Sequence, residues 1–433
     1  MRCCRSQSDC DTQRVAAYSW FALGLLTFIY MINFLDRSIV ATLGVQIQDD
    51  LHISDRDVGR LGGLYFAIFY TAVSVPVALL ADRGNRIRII AWGCFLFSCF
   101  TAASGMSRNF TQLALARMGV GLGEAGGAPP SYSVIADYFP PGRRGVALAL
   151  FSAGVPFGQA IGVAFGAKVA ASYGWRMAFF GIGAIGIIAA ALAALAIREP
   201  PRGRADSDAS PIACPAPFWA TAKMFFTTPT LVLAGLSTGT AALVLYGLTT
   251  AIPQHLQREL HMKLGDFAAY YSIVLAIGMG LGGWVSGYLV DRLASRNRIA
   301  YAVVPILGLL LMIPSLALFA YAPTWPSSML PLAALLFFGM FYLAPSLTVV
   351  VNAVAPHQRT LAGALLLLML NLIGLGLGPT LVGEISQRFR TEYEGHSWQF
   401  ALLGLIPAAV LSVVFHVLQA RALYTGQRTK QIC

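Results

Sequence analysis

The sequence predicts an all-α integral membrane protein with twelve transmembrane helices in two pseudo-symmetric six-helix halves. Three observations predict this class. Of 433 residues, 57% are hydrophobic and only 11% charged, with mean hydropathy +0.67, far outside the range of a soluble domain. Apolar runs long enough to cross a bilayer recur twelve times, at 17–45, 58–81, 86–106, 110–138, 145–170, 175–197, 229–254, 267–290, 299–321, 328–354, 361–385 and 398–420. Two loop motifs also recur: Asp82-Arg83-Gly84-Asn85-Arg86 is echoed by Asp291-Arg292 209 residues on, and Pro141-Gly142-Arg143-Arg144 by Pro356-His357-Gln358-Arg359 215 residues on. Paired halves with a site between them are the design expected of an alternating-access carrier.

In order, the chain reads as a tail over 1–16, a first half over 17–197, a linker over 198–228, a second half over 229–420 and a tail over 421–433. The linker assignment rests on Pro200-Pro201, Gly203, Asp206-Ser207-Asp208, Pro211, Pro215 and Pro217, a composition suited to a flexible connection. Nineteen of the thirty Lys and Arg fall in the tails and loops of one side and nine on the other, while Arg37 and Arg117 lie within spans. The positive-inside rule then puts both tails and the linker in the cytoplasm. Anionic headgroups, not nucleic acid, are the partner for the net charge of +11. Cys3, Cys4, Cys10, Cys214 and Cys433 fall on that cytoplasmic side and Cys94 and Cys99 inside a span, which argues against structural disulfides. No signal-peptide pattern precedes the first span. Short loops and Arg-rich, Lys-poor usage fit a bacterial inner membrane.

Four charges break the apolar pattern. The first span ends in Asn33-Phe34-Leu35-Asp36-Arg37, and the fourth carries Arg117 and Glu124, seven residues apart and so on one helix face. Charges inside a bilayer cost several kcal/mol unless they are paired or face water, so they mark a pathway. Helix rise puts Asp36 roughly 13 Å and Arg117 roughly 12 Å below the outer surface. An Asp36–Arg117 ion pair is expected, with Arg37 as competitor. Glu124 falls near the middle of its span with no neutralising partner one turn away, which makes it the best proton carrier.

The doubled Asp-Arg loop, Arg117 and Gly154-x-x-x-Gly158-x-x-x-Gly162 resemble the major facilitator superfamily across nearly the whole chain. Asn33-x-x-Asp36-Arg37, Arg117-x-x-x-Gly121-x-Gly123-Glu124-Ala125 with Pro129, Ile135-Ala136-Asp137-x-Phe139-Pro140 and Gly378-Pro379-x-x-x-Gly383 are similar to the Spinster-type transporters, and Asn85 fits their second-span loop. The anion:cation symporters share Asp36-Arg37 and Glu124-Ala125. The resemblance implies that the first and fourth spans line a central cavity. It also implies proton-linked transport of lysolipid-like molecules, with Glu124 and Asp36 coupling protons.

Protonating either acid would free an arginine, Arg37 or Arg117, for a substrate carboxylate or phosphate. From Ile299 to Ala355 and from Thr360 to Gly383 the second half has no charged residue. Its cavity wall is therefore neutral, with Tyr246, Thr249, Phe341, Tyr342, Ser346 and Asn371 as candidate lining groups. A wall charged on one side and greasy on the other suits an amphipathic anion such as a lysolipid or sphingoid phosphate; a small organic or sugar acid is the alternative. Asp82, Arg83, Arg86, Asp137, Arg144, Asp291 and Arg292 sit at cytoplasmic span ends, where they are expected to gate. His255 and His416, near span ends, read as solvated packing.

No metal-ligand spacing, phosphate loop or nucleophile elbow occurs on a plausible soluble portion, and Gly121-x-Gly123-x-x-Gly126 lies inside a span. No cofactor and no enzyme activity are expected, and the energy source is an ion gradient. The expected partners are a small-molecule or lipid substrate, protons and the bilayer, and the expected unit is a monomer. A membrane sensor without turnover is the reading from another class, disfavoured because the chain has no sizeable signalling domain.

Overall fold

The computed structural model describes residues 17–202, 218–294, 297–354, 358–393 and 395–432. The 1–16 tail, Cys433 and most of the linker lie outside them. The helices are α1 (Ala17–Thr42), α2 (Gly44–Leu51), α3 (Asp55–Gly62), α4 (Leu64–Arg83), α5 (Arg86–Gly105), α6 (Phe110–Glu124), α7 (Ala128–Tyr138), α8 (Pro141–Tyr173), α9 (Trp175–Ala196) and α10 (Phe218–Thr227). They continue with α11 (Pro229–Gln254), α12 (Ser272–Ala294), α13 (Ala300–Ala320), α14 (Trp325–Gly339), α15 (Leu343–Ala353), α16 (Arg359–Met369), α17 (Gly378–Phe389), α18 (Ser397–Leu403) and α19 (Ile406–Ile432). Wider π-type turns run on from α11 over His255–Glu259, lead into α12 over Phe267–Tyr271 and join α16 to α17 over Leu370–Leu377.

Among the described residues ten helical stretches are long and apolar enough to cross a membrane. With α4 and the α6–α7 pair they make the twelve passes of the predicted fold. The starts are written locally. Ser54 opens α3 with a capping box, accepting from Asp57 N at 3.2 Å while its own N–H donates to the Asp57 carboxylate at 3.1 Å. Asn85 and Asn109 cap α5 and α6 through Arg88 N and Gln112 N. Gly174, at φ +84°, turns α8 into α9 in a conformation that other residues resist.

The fourth pass is not the single helix that its apolar run suggests. It breaks after Glu124, where Gly126-Gly127 precede Pro129-Pro130 in the first turn of α7, the position at which proline's missing N–H costs least. The tenth pass breaks the same way: α14 ends at Gly339 and α15 starts at Leu343, each 215 residues after the end of α6 and the start of α7. The break is therefore part of the repeated unit.

Close packing fixes α1 against α8. A Cβ on Gly154 would stand 3.2 Å from Thr27 O, and one on Gly162 2.7 Å from Leu35 O. The Gly-x-x-x-Gly run thus lets the two backbones touch and sets the rotation of Asp36 and Arg37.

The halves meet at the end of the bundle away from the termini. There α3 and the start of α4 lie against α17 and the π-turn before it. A Cβ on Gly63 would stand 2.9 Å from Leu375 O, and one on Gly383 2.7 Å from Asp55 O and 3.1 Å from Gly59 Cα; one on Gly59 would run into Pro379 O. Polar groups seal this seam. Buried Asp55 accepts from Gln48 at 2.7 Å, from Ser386 at 2.9 Å and from Arg390 at 3.4 Å, and its backbone N–H donates to Gln387. Arg56 and Arg60 both reach Glu384, at 2.7 and 3.0 Å. From the π-turn after α11, Gln257 donates to Thr42 O and Arg258 to Gln48.

Candidate functional site

The site begins with three residues of α1 on one face: Asn33, Asp36 and Arg37, at i, i+3 and i+4. The expected Asp36–Arg117 pair forms. Arg117 Nη1 donates to Asp36 Oδ2 at 2.7 Å, and Thr101 of α5 donates to Oδ1 at 2.7 Å. Both charged residues are buried, Asp36 at 0% and Arg117 at 2% exposure.

Glu124 differs from expectation. It is not without a partner: Arg37 grips its Oε2 through both Nε and Nη2 at 2.7 Å. The partner comes from α1, a pairing that helix rise alone does not reveal. Arg37 is sandwiched by aromatic rings, its guanidinium carbon 4.6 Å from the centre of Phe66, 4.9 Å from Phe34 and 5.3 Å from Tyr70, which adds cation–π attraction in a desolvated setting.

Of the four charges, Arg37 alone borders the cavity between the halves, whose walls also carry Gln159 and Val163 of α8, Tyr246 and Thr249 of α11, and Tyr271. Arg117 sits behind Asp36 and does not line it. Among the expected neutral lining groups, Tyr246 faces Arg37 across the cavity. Tyr342 is buried at the break of the tenth pass. Asn371 does not line the cavity; its amide donates to Leu367 O of its own helical stretch. Thr249 lines the cavity wall; Phe341 and Ser346 are buried outside it.

At the termini end, Arg86 is almost wholly buried and ties α5, α7 and the start of the linker together. It donates to Asp137 at 2.5 Å, to Glu199 at 2.6 Å, to Ser133 and to Pro200 O. Glu199 was legible only as a charge at the linker's start, yet it also accepts from Ile87 N. Arg144 donates to Ala136 O at the end of α7. Asp291 is exposed, and Arg292 donates to Tyr288. The side chains of Asp82 and Arg83 lie outside the described residues.

The two histidines are not solvated: His255 is 2% and His416 0% exposed. His255 bonds Glu259 at 2.5 Å, and Glu259 in turn accepts from Trp398 N and Gln399 N at the start of α18, so a carboxylate meets the positive end of a helix. The Asp55 cluster, Arg60–Glu384 and this cap were missed because each joins residues far apart in sequence.

Comparison with known proteins agrees with this architecture. The model of the Major Facilitator Superfamily matches residues 26–340. The chain is 31% identical over 399 residues to an "MFS-type efflux pump" of Mycolicibacterium smegmatis, covering 91% of this chain and 90% of that one. It is 28% identical to human "Protein spinster homolog 1", covering 88% and 76%. A solved structure of a bacterial homolog to the human lysosomal transporter Spinster, inward-facing and unoccupied, superposes with a TM-score of 0.85 at 28% identity over 94% of this chain and 98% of that one. With its twelve passes, paired breaks and intramembrane charges, the chain is a Spinster-like member of the Major Facilitator Superfamily.

Proposed function

We propose that this protein is a proton-coupled secondary transporter that moves an amphipathic anion, such as a lysolipid or sphingoid phosphate, by alternating access. The observation that carries the reading is the Arg37–Glu124 pair at the wall of the cavity between the halves. Glu124 as a carboxylate holds Arg37. Once protonated it loses most of that hold, because a charge-assisted bond becomes an ordinary one, and Arg37 turns to an anionic group in the cavity. Proton and substrate thus compete for, and are coupled through, one guanidinium.

With the termini cytoplasmic, the sealed end faces outside. Asp36 with Arg117 then supports the geometry of the first and fourth passes, while the Arg86–Asp137–Glu199 cluster, with Arg144, Asp291 and Arg292, shapes the inner gate. The names of the relatives, an efflux pump and a bacterial homolog to a lysosomal transporter, support transport itself.

The test is thermal stabilisation of the purified protein by lysophospholipids, sphingoid phosphates and small sugar or aromatic acids at acidic and neutral pH. Stabilisation by the amphipaths that depends on pH and is lost in Glu124→Gln is expected. Stabilisation by small acids alone would replace the lipid reading with a small-acid symporter.

A further inference from the structure

Two buried oxygens beside the charge cluster have no hydrogen-bond partner among the described residues: Glu124 Oε1 and Asn33 Oδ1. Both residues are nearly inaccessible, at 2% and 4% exposure. Each buried acceptor left without a donor is costly in a desolvated site. The cluster's own unpartnered donor is Arg117 Nε; a proton on Glu124 Oε1 would supply a second.

We propose that Asn33 is the positioning residue for the proton: when Glu124 is protonated on Oε1, the new O–H donates to Asn33 Oδ1, directly or through one water. The inference rests on the proton-coupled reading above. Asn33 and Arg37 are one turn apart on α1, and Arg37 already holds the other carboxylate oxygen, Oε2. The Asn33 amide lies against the helix break that Glu124 opens, 3.0 Å from where a Cβ on Gly127 would stand, and Gly127 N is bonded to Glu124 O at 3.0 Å. Any larger residue at 127 would push this amide away.

The proton adds to one oxygen and breaks no bond; Arg37 keeps all its protons, and the carboxyl becomes neutral. The other ionisable groups facing Glu124 are Asp36 and Arg37 of α1, Arg117 of its own helix, Tyr70 of α4 and Tyr246 of α11. Asp36 is occupied by Arg117 and Thr101, and Arg37 and Arg117 only donate. From α5, Cys94 turns away to Gly186 O. The Asn33 carbonyl is the vacant acceptor on the facing helix, and its partner geometry leaves the neutral acid a place to point that is not the cavity.

The experiment is infrared difference spectroscopy, acid minus neutral, on the full-length protein in lipid nanodiscs. A carboxylic C=O band that disappears in Glu124→Gln is expected at a hydrogen-bonded position in the wild type, and it should move to higher wavenumber in Asn33→Ala. A wild-type band at the free-acid position would overturn the proposal whether or not the variant folds, and so would a band that Asn33→Ala leaves in place. If no band is lost in Glu124→Gln, the proton-coupled reading itself fails. That outcome is distinct from failure of the Asn33 assignment.

Discussion

Arg37 and Glu124, 87 residues apart, share a two-pronged ion pair in which the arginine is 14% exposed and the acid not at all. The carboxylate is sealed, and the guanidinium borders the cavity. This ordering separates the roles of the two arginines in the cluster.

Arg37→Lys should weaken binding of an anionic substrate by about tenfold or more, since a point charge replaces a fork that serves two oxygens at once. Arg117→Lys should leave affinity within a few-fold and lower stability instead, because Arg117 does not line the cavity. Substrate-dependent melting shifts on both variants check the contrast. Equal losses of affinity would put Arg117 back at the substrate.

Glu124→Gln should abolish uphill, proton-driven accumulation in vesicles while substrate exchange at equal concentrations continues. Unchanged accumulation would remove Glu124 from the coupling.

Asp36→Asn should be the most destabilising change in the cluster. It strips the counter-charge from an arginine that is 2% exposed, a loss of about 3–5 kcal/mol, whereas Thr101→Val removes one neutral donor at about 1 kcal/mol. Denaturation midpoints in a single detergent give the comparison.

At the sealed end, buried and exposed contacts should rank differently. Glu384 and its two arginines are each about a third or more exposed, so Glu384→Ala should cost under about 1 kcal/mol. Asp55 is 1% exposed, and Asp55→Ala would leave buried Gln48 without its acceptor, at about 1–3 kcal/mol, while Ser386 keeps its bond to Ser397. Gly383→Leu should keep the seam from closing altogether. Spin labels at the exposed positions 49 and 392 should report longer distances in Gly383→Leu and Asp55→Ala and wild-type distances in Glu384→Ala.

The legible part of this protein was what depends on local sequence and on depth. Apolar length gave the passes, repeated loop motifs gave the halves, and helix rise alone brought Asp36 level with Arg117. Contacts that depend on helix rotation were not legible. The pairing of Arg37 with Glu124 depends on which faces of α1 and α6 meet, and the break at 125–127 went unread, Pro129 being noted only for resemblance and Gly126 only as part of a rejected Gly pattern. Contacts across the two halves were hidden for another reason: Gly59, Gly63 and Gly383 reveal their role only when facing backbones are in place. His255 reads as a surface residue beside a charged loop, and only the start of α18 shows why it is buried.

The matching breaks in the fourth and tenth passes end at Glu124 in one half and at Gly339 in the other. Duplication thus preserved the bend and left the acid in one copy only. The bend in the second copy, with Tyr342 at its edge, can change in size and polarity without disturbing either ion pair. The frame therefore divides its labour: one copy holds the intramembrane charges, and the other repeats the bend without them.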